Sequence, residues 1–294
     1  MSSEQPRATR RVALGVSYRG TAYKGWQSQV GGGTVQDALE SALSAFATQP
    51  TRVMCAGRTD SGVHGINQVV HLDTLLQREP FSWVRGTNAF LPPDIAVQWA
   101  AEVPDGFHAR KSAIGRRYVY ILLEAPVRPA LESGQVGWVF RPLDQAAMVA
   151  ASACLIGEHD FSSFRSSQCQ SPTPVKTLRE ISIRRCGGAA ERTPSSGGVD
   201  RRGILGPGAE GIYWRFDFEG TAFLHHMIRN LMGCLVAVGT GAQPASWMQA
   251  VLDARDRKIA AATFAPEGLY FLGPRYDEGW GLPSGVPALH WLPD

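Results

Sequence analysis

Between Val12 and Trp99 the hydrophobic period switches from two to 3.6 and back again, twice, and that order leaves few folds open. Val12, Leu14, Val16 and Tyr18 alternate with polar or small residues and predict a strand. Thr34 reads as the N-cap of a helix, with Asp37 three residues on as in a capping box. Val35, Leu39, Leu43 and Phe46 then share one helical face, which stops before Pro50. Met54 and Cys55 close one apolar run, and Val69, Val70 and Leu72 open another, so a strand, a sharp polar turn and a second strand follow. Phe81 to Phe90 predicts a helix ended by Pro92 and Pro93, and Ile95, Val97 and Trp99 alternate as a further strand. Strand, helix, strand, strand, helix, strand is the ferredoxin-like split β-α-β order.

The second part repeats the alternation of strands and helices. Val119, Ile121 and Leu123 share one strand face; Tyr118, Tyr120 and Leu122 share the other, with Arg116 continuing it. Asp144 to Leu155 reads as a helix ended at Gly157, and Phe161 to Thr177 as a loop carrying Arg165 and Lys176. Leu178, Ile181 and Ile183 suggest a strand of imperfect alternation, whereas Ile212, Trp214, Phe216 and Phe218 alternate strictly. Gly220 is expected to open a helix to about Val238, with Phe223, Met227, Leu231 and Leu235 on one stripe and Arg229 inside it. Ser246 to Ala254 reads as another helix and Pro266 to Gly273 as a final strand. The expected architecture is α+β: two ferredoxin-like or RRM-like lobes with mostly antiparallel sheets, side by side around a central basic cleft. The expected boundaries are a flexible tail over 1–11, an N-terminal lobe over 12–112 and a C-terminal lobe over 113–294. Within the latter, Gly187 to Gly211 is rich in Gly, Ser, Pro, Arg and Ala and reads as a flexible insertion that carries Arg192, Arg201 and Arg202.

Composition narrows the function classes. The net charge of +3 permits a nucleic-acid partner without demanding one. Five scattered cysteines with no C-x-x-C argue against a disulfide framework or zinc ribbon and fit a reducing cytoplasm. No apolar h-region follows the basic residues near the start, and the run from Leu231 to Val238 is too short to span a bilayer.

The residues that could carry chemistry sit in the polar turn. Gly57-Arg58-Thr59-Asp60-Ser61-Gly62 places an arginine and a carboxylate two residues apart between glycines. A nearby guanidinium favours the charged form of a carboxylate, which suits a nucleophile. Asp-Ser-Gly is also ordinary turn chemistry, with Asp bonding the backbone and Gly supplying positive φ. Arg110, Lys111, Arg116 and Arg117, followed by Tyr118, interleave cations with an aromatic in the manner of phosphate and base contacts, or of a half-buried edge strand with a solvated lead-in. Arg229 in an apolar helix calls for a phosphate or carboxylate partner, with Asp217 or Glu219 as structural candidates. Gly31-Gly-Gly-Thr34 at a helix start offers N–H groups to an anion, but without Gly-Lys-Ser/Thr it is no nucleotide P-loop. His64, His71, His225 and His226 lack a metal-ligand spacing, and Gly-x-Ser-x-Gly is absent. Three classes stay in view on the residues alone: an enzyme with a carboxylate nucleophile at Asp60, arginine support and an aromatic base platform, an RNA-binding module without chemistry, and a histidine-based metal hydrolase.

Ala56-Gly-Arg-Thr-Asp-Ser-Gly-Val-His64 resembles the signature of the tRNA pseudouridine synthase A family. Trp26-Gln27, Asn88 with Leu91-Pro92, Phe107-His-Ala-Arg110, Arg117-Tyr-Val-Tyr120, Gly157-x-x-Asp160-Phe-x-x-Phe164, Phe223-Leu-His-His-Met-Ile-Arg-Asn230 and Glu267-Gly-Leu-Tyr270 resemble further family blocks, in family order, from about Val12 to about Tyr276. The resemblance implies a cytoplasmic, homodimeric isomerase with no cofactor and no metal. It would convert uridines at positions thirty-eight to forty of the tRNA anticodon stem-loop to pseudouridine. Asp60 matches the nucleophile, Arg58 the arginine of the same signature, Tyr118 the aromatic that stacks on the target base, and Arg229 the basic partner of the aspartate. Ser61 and Gly65 depart from the family, which commonly has alanine at both places.

Overall fold

The structure, a computed structural model, describes residues 9–186 and 211–283. Residues 1–8 of the expected tail and 187–210 of the expected insertion, with Arg192, Arg201 and Arg202, lie outside the described residues. In chain order the first elements are β1 (Arg10–Tyr18), α1 (Val35–Ala47), β2 (Met54–Cys55), β3 (His64–Thr74), α2 (Pro80–Asn88), β4 (Ile95–Val103) and β5 (Gly115–Glu124). They are followed by β6 (Gly137–Val139), α3 (Gln145–Ser152), β7 (Gly157–Asp160), β8 (Val175–Cys186), β9 (Ile212–Gly220), α4 (Met227–Gly239), α5 (Trp247–Ala254) and β10 (Leu269–Arg275). The class is α+β. Among the described residues, one compact unit comprises 9–117 and 270–283, the other 118–186 and 211–269.

In the first unit β1 runs between β3 and β4, antiparallel to both. The outer edge of β3 is divided: Met54 and Cys55 pair antiparallel with His71 and Val70, while Tyr270 and Phe271 of β10 pair parallel with His64 and Gly65. The pleat sends Val12, Leu14, Val16 and Tyr18 into a core with Leu39 and Leu43 of α1 and Trp83 of α2. Each such fully buried side chain contributes about 1.5–3 kcal/mol. Trp99 does not join Ile95 and Val97 there, as plain alternation predicts. The β1–β4 register shifts between Gly15 and Val16, so that Val97 faces Val16 while Trp99 faces Gly15. The extra residue, Gln98, turns Trp99 to the opposite face, beside Val69 and Phe107. Its indole lies across Gly15, where a Cβ would come within 2.0 Å of Nε1.

In the second unit the strand order is β5-β9-β8-β7, with β6 parallel to β5. β5 is therefore hydrogen-bonded to both β6 and β9, which excludes the edge-strand reading. The imperfect alternation of β8 has the same cause as in β4: the register to β9 shifts between Leu178 and Glu180, so buried Leu178 and buried Ile183 can face one core. α3 starts where predicted, with the Asp144 carboxylate accepting from Ala147 N at 3.0 Å. α4 does not begin at Gly220. Thr221 N bonds Thr177 O, Ser166 N bonds His225 O, His225 N donates to Cys169 Sγ, and His226 sits at φ 62°. Those backbone groups are committed to tertiary partners, so helical bonding starts only at Met227, and Phe223 lies outside the stripe.

Candidate active site

The Arg58–Asp60 turn links β2 to β3 in the first unit and is held at several points. At its root, buried Gln68 accepts from Gly57 N at 3.3 Å and donates to Gly57 O at 2.5 Å. In its middle, the hydroxyls of Tyr18 and Thr59 are 2.8 Å apart in a buried pair, and Trp26 N donates to Thr59 O at 3.0 Å. At its far side Ser61 Oγ donates to Tyr23 O, and Val63 N closes the turn on Asp60 O. Arg58 is exposed and Asp60 half-buried. The backbone is fixed from all sides while neither charged side chain belongs to the core.

The loop that grips the turn is itself fixed by α1. Val35 N donates to Gly25 O, Gln36 N to Trp26 O, and Asp37 N to Thr34 Oγ1. The Asp37 carboxylate in turn accepts from Thr34 N, completing the capping box. The helix start therefore spends the N–H groups of Thr34, Val35, Gln36 and Asp37 on the chain's own oxygens instead of offering them to a phosphate. Its work is to aim Gly25 and Trp26 at Thr59. The histidines of this unit act likewise: His64 Nδ1 accepts from Gly20 N at 3.1 Å and its ring stacks on Tyr270 at 4.5 Å. His71 Nδ1 accepts from Ala109 N at 3.2 Å.

In the second unit, buried Tyr118 on β5 meets the Phe223 ring edge-on, with centroids 5.1 Å apart. The half-buried Arg229, in the first turn of α4, is oriented by Phe264, whose carbonyl accepts from Nε at 2.8 Å while its N–H donates to Arg229 O. Of the structural candidates for it, Asp217 binds Arg184 and Arg215, and Glu219 pairs with Arg179. Neighbouring Asn230 is fully buried, donating to Phe164 O and accepting from Arg257 and Thr263. His225 and His226 precede the helix, and their rings lie against each other at 4.0 Å. Arg165 and Lys176 spend their charges on loop carbonyls, Arg165 on Cys169 and Ser171, Lys176 on Thr173 and Val175.

A family model described as tRNA pseudouridine synthase matches residues 15–110 and 151–277. The chain belongs to the tRNA pseudouridine synthase family. Proteins named tRNA pseudouridine synthase A agree with it almost end to end. That of Paracidovorax citrulli (strain AAC00-1) is 63% identical over 287 residues, covering 96% of this chain and 100% of the relative. Those of Delftia acidovorans and Methylibium petroleiphilum are each 61% identical with the same coverage.

For a member of the tRNA pseudouridine synthase family, several supporting residues are not legible from a signature. Tyr18 and Gln68 hold the backbone and the Thr59 hydroxyl of the Arg58–Asp60 turn, and Phe264 fixes Arg229, yet none of the three belongs to a signature block. The one local signal is glycine. A Cβ on Gly65 would come within 2.3 Å of the Tyr18 ring, so glycine at this position makes room for the Tyr18–Thr59 pair. A Cβ on Gly268 would meet Ile121 O at 2.3 Å, where Ile121 N bonds Gly268 O and fixes the back of β5. All five cysteines are free. Among the described residues no helix is long and apolar enough to cross a membrane.

Burial pushes His71 down from 6.5 to about 4, aided by the charges of His108 and Arg11 and opposed by Asp73. The unfolded chain thus takes a proton at about 6.5 that the folded chain refuses until about 4, so stability falls with decreasing pH between those values. The loss amounts to about 3 kcal/mol at most. Urea melts should show it levelling near pH 4, and His71→Gln should flatten that part of the profile. An unchanged slope in the variant would remove His71 as its source.

Proposed function

We propose that this chain converts uridine to pseudouridine in tRNA with Asp60 as the nucleophile, supported by Arg58, Tyr118 and Arg229. Family membership across nearly the whole chain carries the reaction class. The backbone-fixed turn that leaves the Asp60 carboxylate outside the core supports the choice of group. The reaction breaks the bond between the sugar and N1 of uracil, turns the base, joins C5 to the same sugar carbon, releases the C5 proton and protonates N1. Atoms and electrons balance without an oxidant or reductant, so the reaction needs no redox cofactor. Attack on the sugar, attack on the base and removal of a sugar proton all need the same ionised carboxylate, presented at a defined place. A stem uridine must leave the stack to be reached, and Tyr118 offers it an aromatic face while Arg58 and Arg229 supply positive charge. The substrate positions are thirty-eight to forty of the anticodon stem-loop, and the enzyme works in the cytoplasm as a homodimer.

The test is mapping of pseudouridine on bulk tRNA incubated with the purified protein in excess EDTA. Modification at those positions supports the proposal. Binding of tRNA with no modified base would favour a pure binding module, and activity that returns only with added zinc would favour metal chemistry. In the same assay Tyr118→Phe should stay within a few-fold of wild type, and Tyr118→Ala should lose about five- to a hundredfold in kcat/KM, the worth of one base-aromatic stack. Equal activity of Tyr118→Ala and wild type would remove the stacking role.

A further inference from the structure

Arg116 reads in sequence as one more phosphate-binding cation, yet its guanidinium is turned onto the protein's own backbone. Nη2 donates to Arg110 O at 2.8 Å and to Ala56 O at 3.3 Å, and Nη1 donates to Ala113 O at 3.2 Å. The carbonyls come from two separate segments. Arg110 and Ala113 belong to the basic loop between β4 and β5. Ala56, 1% exposed, is the residue before Gly57 at the root of the Arg58–Asp60 turn. The basic loop is otherwise fastened within itself and to its flanks: His108 Nδ1 accepts from Arg110 N and Lys111 N, and Tyr276 donates to Ala109 O. These bonds leave Arg110 and Lys111 exposed as cations for an RNA backbone. The Ala56 bond joins this loop to the root of the turn.

We infer that Arg116 is a positioning residue which locks the cationic Arg110–Lys111 loop to the catalytic turn, so that phosphate capture and presentation of Asp60 share one rigid frame. This rests on the reaction proposed above. The role needs an arginine. A planar guanidinium with five donors can serve carbonyls in several directions, whereas an ammonium on a flexible stem is a point charge that cannot span them together. A phosphate contact would tolerate lysine and would register in the salt dependence, each lost phosphate contact lowering the slope of log K against log salt by about 0.7–0.9.

The experiment compares Arg116→Lys, which keeps charge and stem, and Arg116→Gln with wild type, using tRNA as the probe. The expected result is a fall in kcat of about ten- to a hundredfold for both, the scale of a sub-ångström to ångström misplacement of a reacting group. The salt slope of tRNA binding should equal that of wild type, while Arg110→Gln lowers it. Hydrogen exchange without tRNA should show the amides of Ala109 to Ser112 and of Gly57 to Arg58 opening together in both variants, with global unfolding in urea little changed. Wild-type kcat in Arg116→Lys, a salt slope reduced as in Arg110→Gln, or faster exchange in only one segment would each overturn the inference. Because the exchange arm needs no activity, an inactive wild type would refute the proposed reaction and still leave the coupling of loop and turn decided.

Discussion

Asp60→Asn and Asp60→Ala should each reduce pseudouridine formation on tRNA by at least about a thousandfold, a loss of about 4 kcal/mol of transition-state stabilisation. Binding of tRNA should stay close to wild type. Asparagine keeps the size and turn chemistry of the side chain and removes its charge, so it isolates the nucleophile's role. The bonds that hold the turn use Gly57, the Thr59 hydroxyl and carbonyl, and the backbone oxygen of Asp60, so both variants retain them. Thermal and urea unfolding should therefore shift by no more than about 1 kcal/mol, as for a surface turn substitution. The measurement is tritium release from tRNA labelled at C5 of uridine, with filter binding in parallel. Release at the wild-type rate from either variant would refute the assignment. Loss of binding together with activity would place Asp60 in substrate capture instead.

Gly25→Ala should have the next largest effect, although the substitution adds one methyl group outside the signature turn. Gly25 sits at φ 86°, in a region costly to an L-residue. Its new Cβ would fall 2.8 Å from Thr59 O and 3.1 Å from both Asp60 C and Ser61 N. Those neighbours are backbone atoms, with no side chain that can swing aside. The turn or the loop must move by a few tenths of an ångström, against the Trp26–Thr59 and Tyr18–Thr59 bonds. A loss of about 1–3 kcal/mol in stability and about a hundredfold in kcat is expected. Gly31→Ala is the control: its φ is 90°, but nothing lies within 4 Å of a Cβ there. It should cost about 1 kcal/mol and leave kcat within a few-fold. If Gly25→Ala and Gly31→Ala behave alike, close packing of the loop on the turn does not govern Asp60.

Much of the fold follows from local signals. Element order in the first unit emerges from hydrophobic periods, and the start of α1 from Thr34 and Asp37, because both depend on neighbours within one helical turn or a few strand residues. The failures mark places where a long-range partner overrides the local pattern. The added residue Gln98 sends Trp99 to the other face, and the bulge in β8 does the same to its alternation. The helical stripe read from Phe223 breaks because Thr221 and His225 are held by Thr177, Ser166 and Cys169, and His226 sits at φ 62°.

By itself the sequence determined the α+β class, the family through its ordered blocks, and the identity of Asp60, Arg58, Tyr118 and Arg229 as candidates. These are carried by residue type and spacing, which need no coordinates. Only the tertiary structure decided what the surrounding groups do. The donors at the head of α1 go to Gly25 and Trp26, and the Arg116 guanidinium bonds carbonyls of two separate loops. A hydrogen-bond donor looks the same in sequence whether its acceptor is a phosphate or a carbonyl sixty residues away, and only folding brings that carbonyl within 3.3 Å.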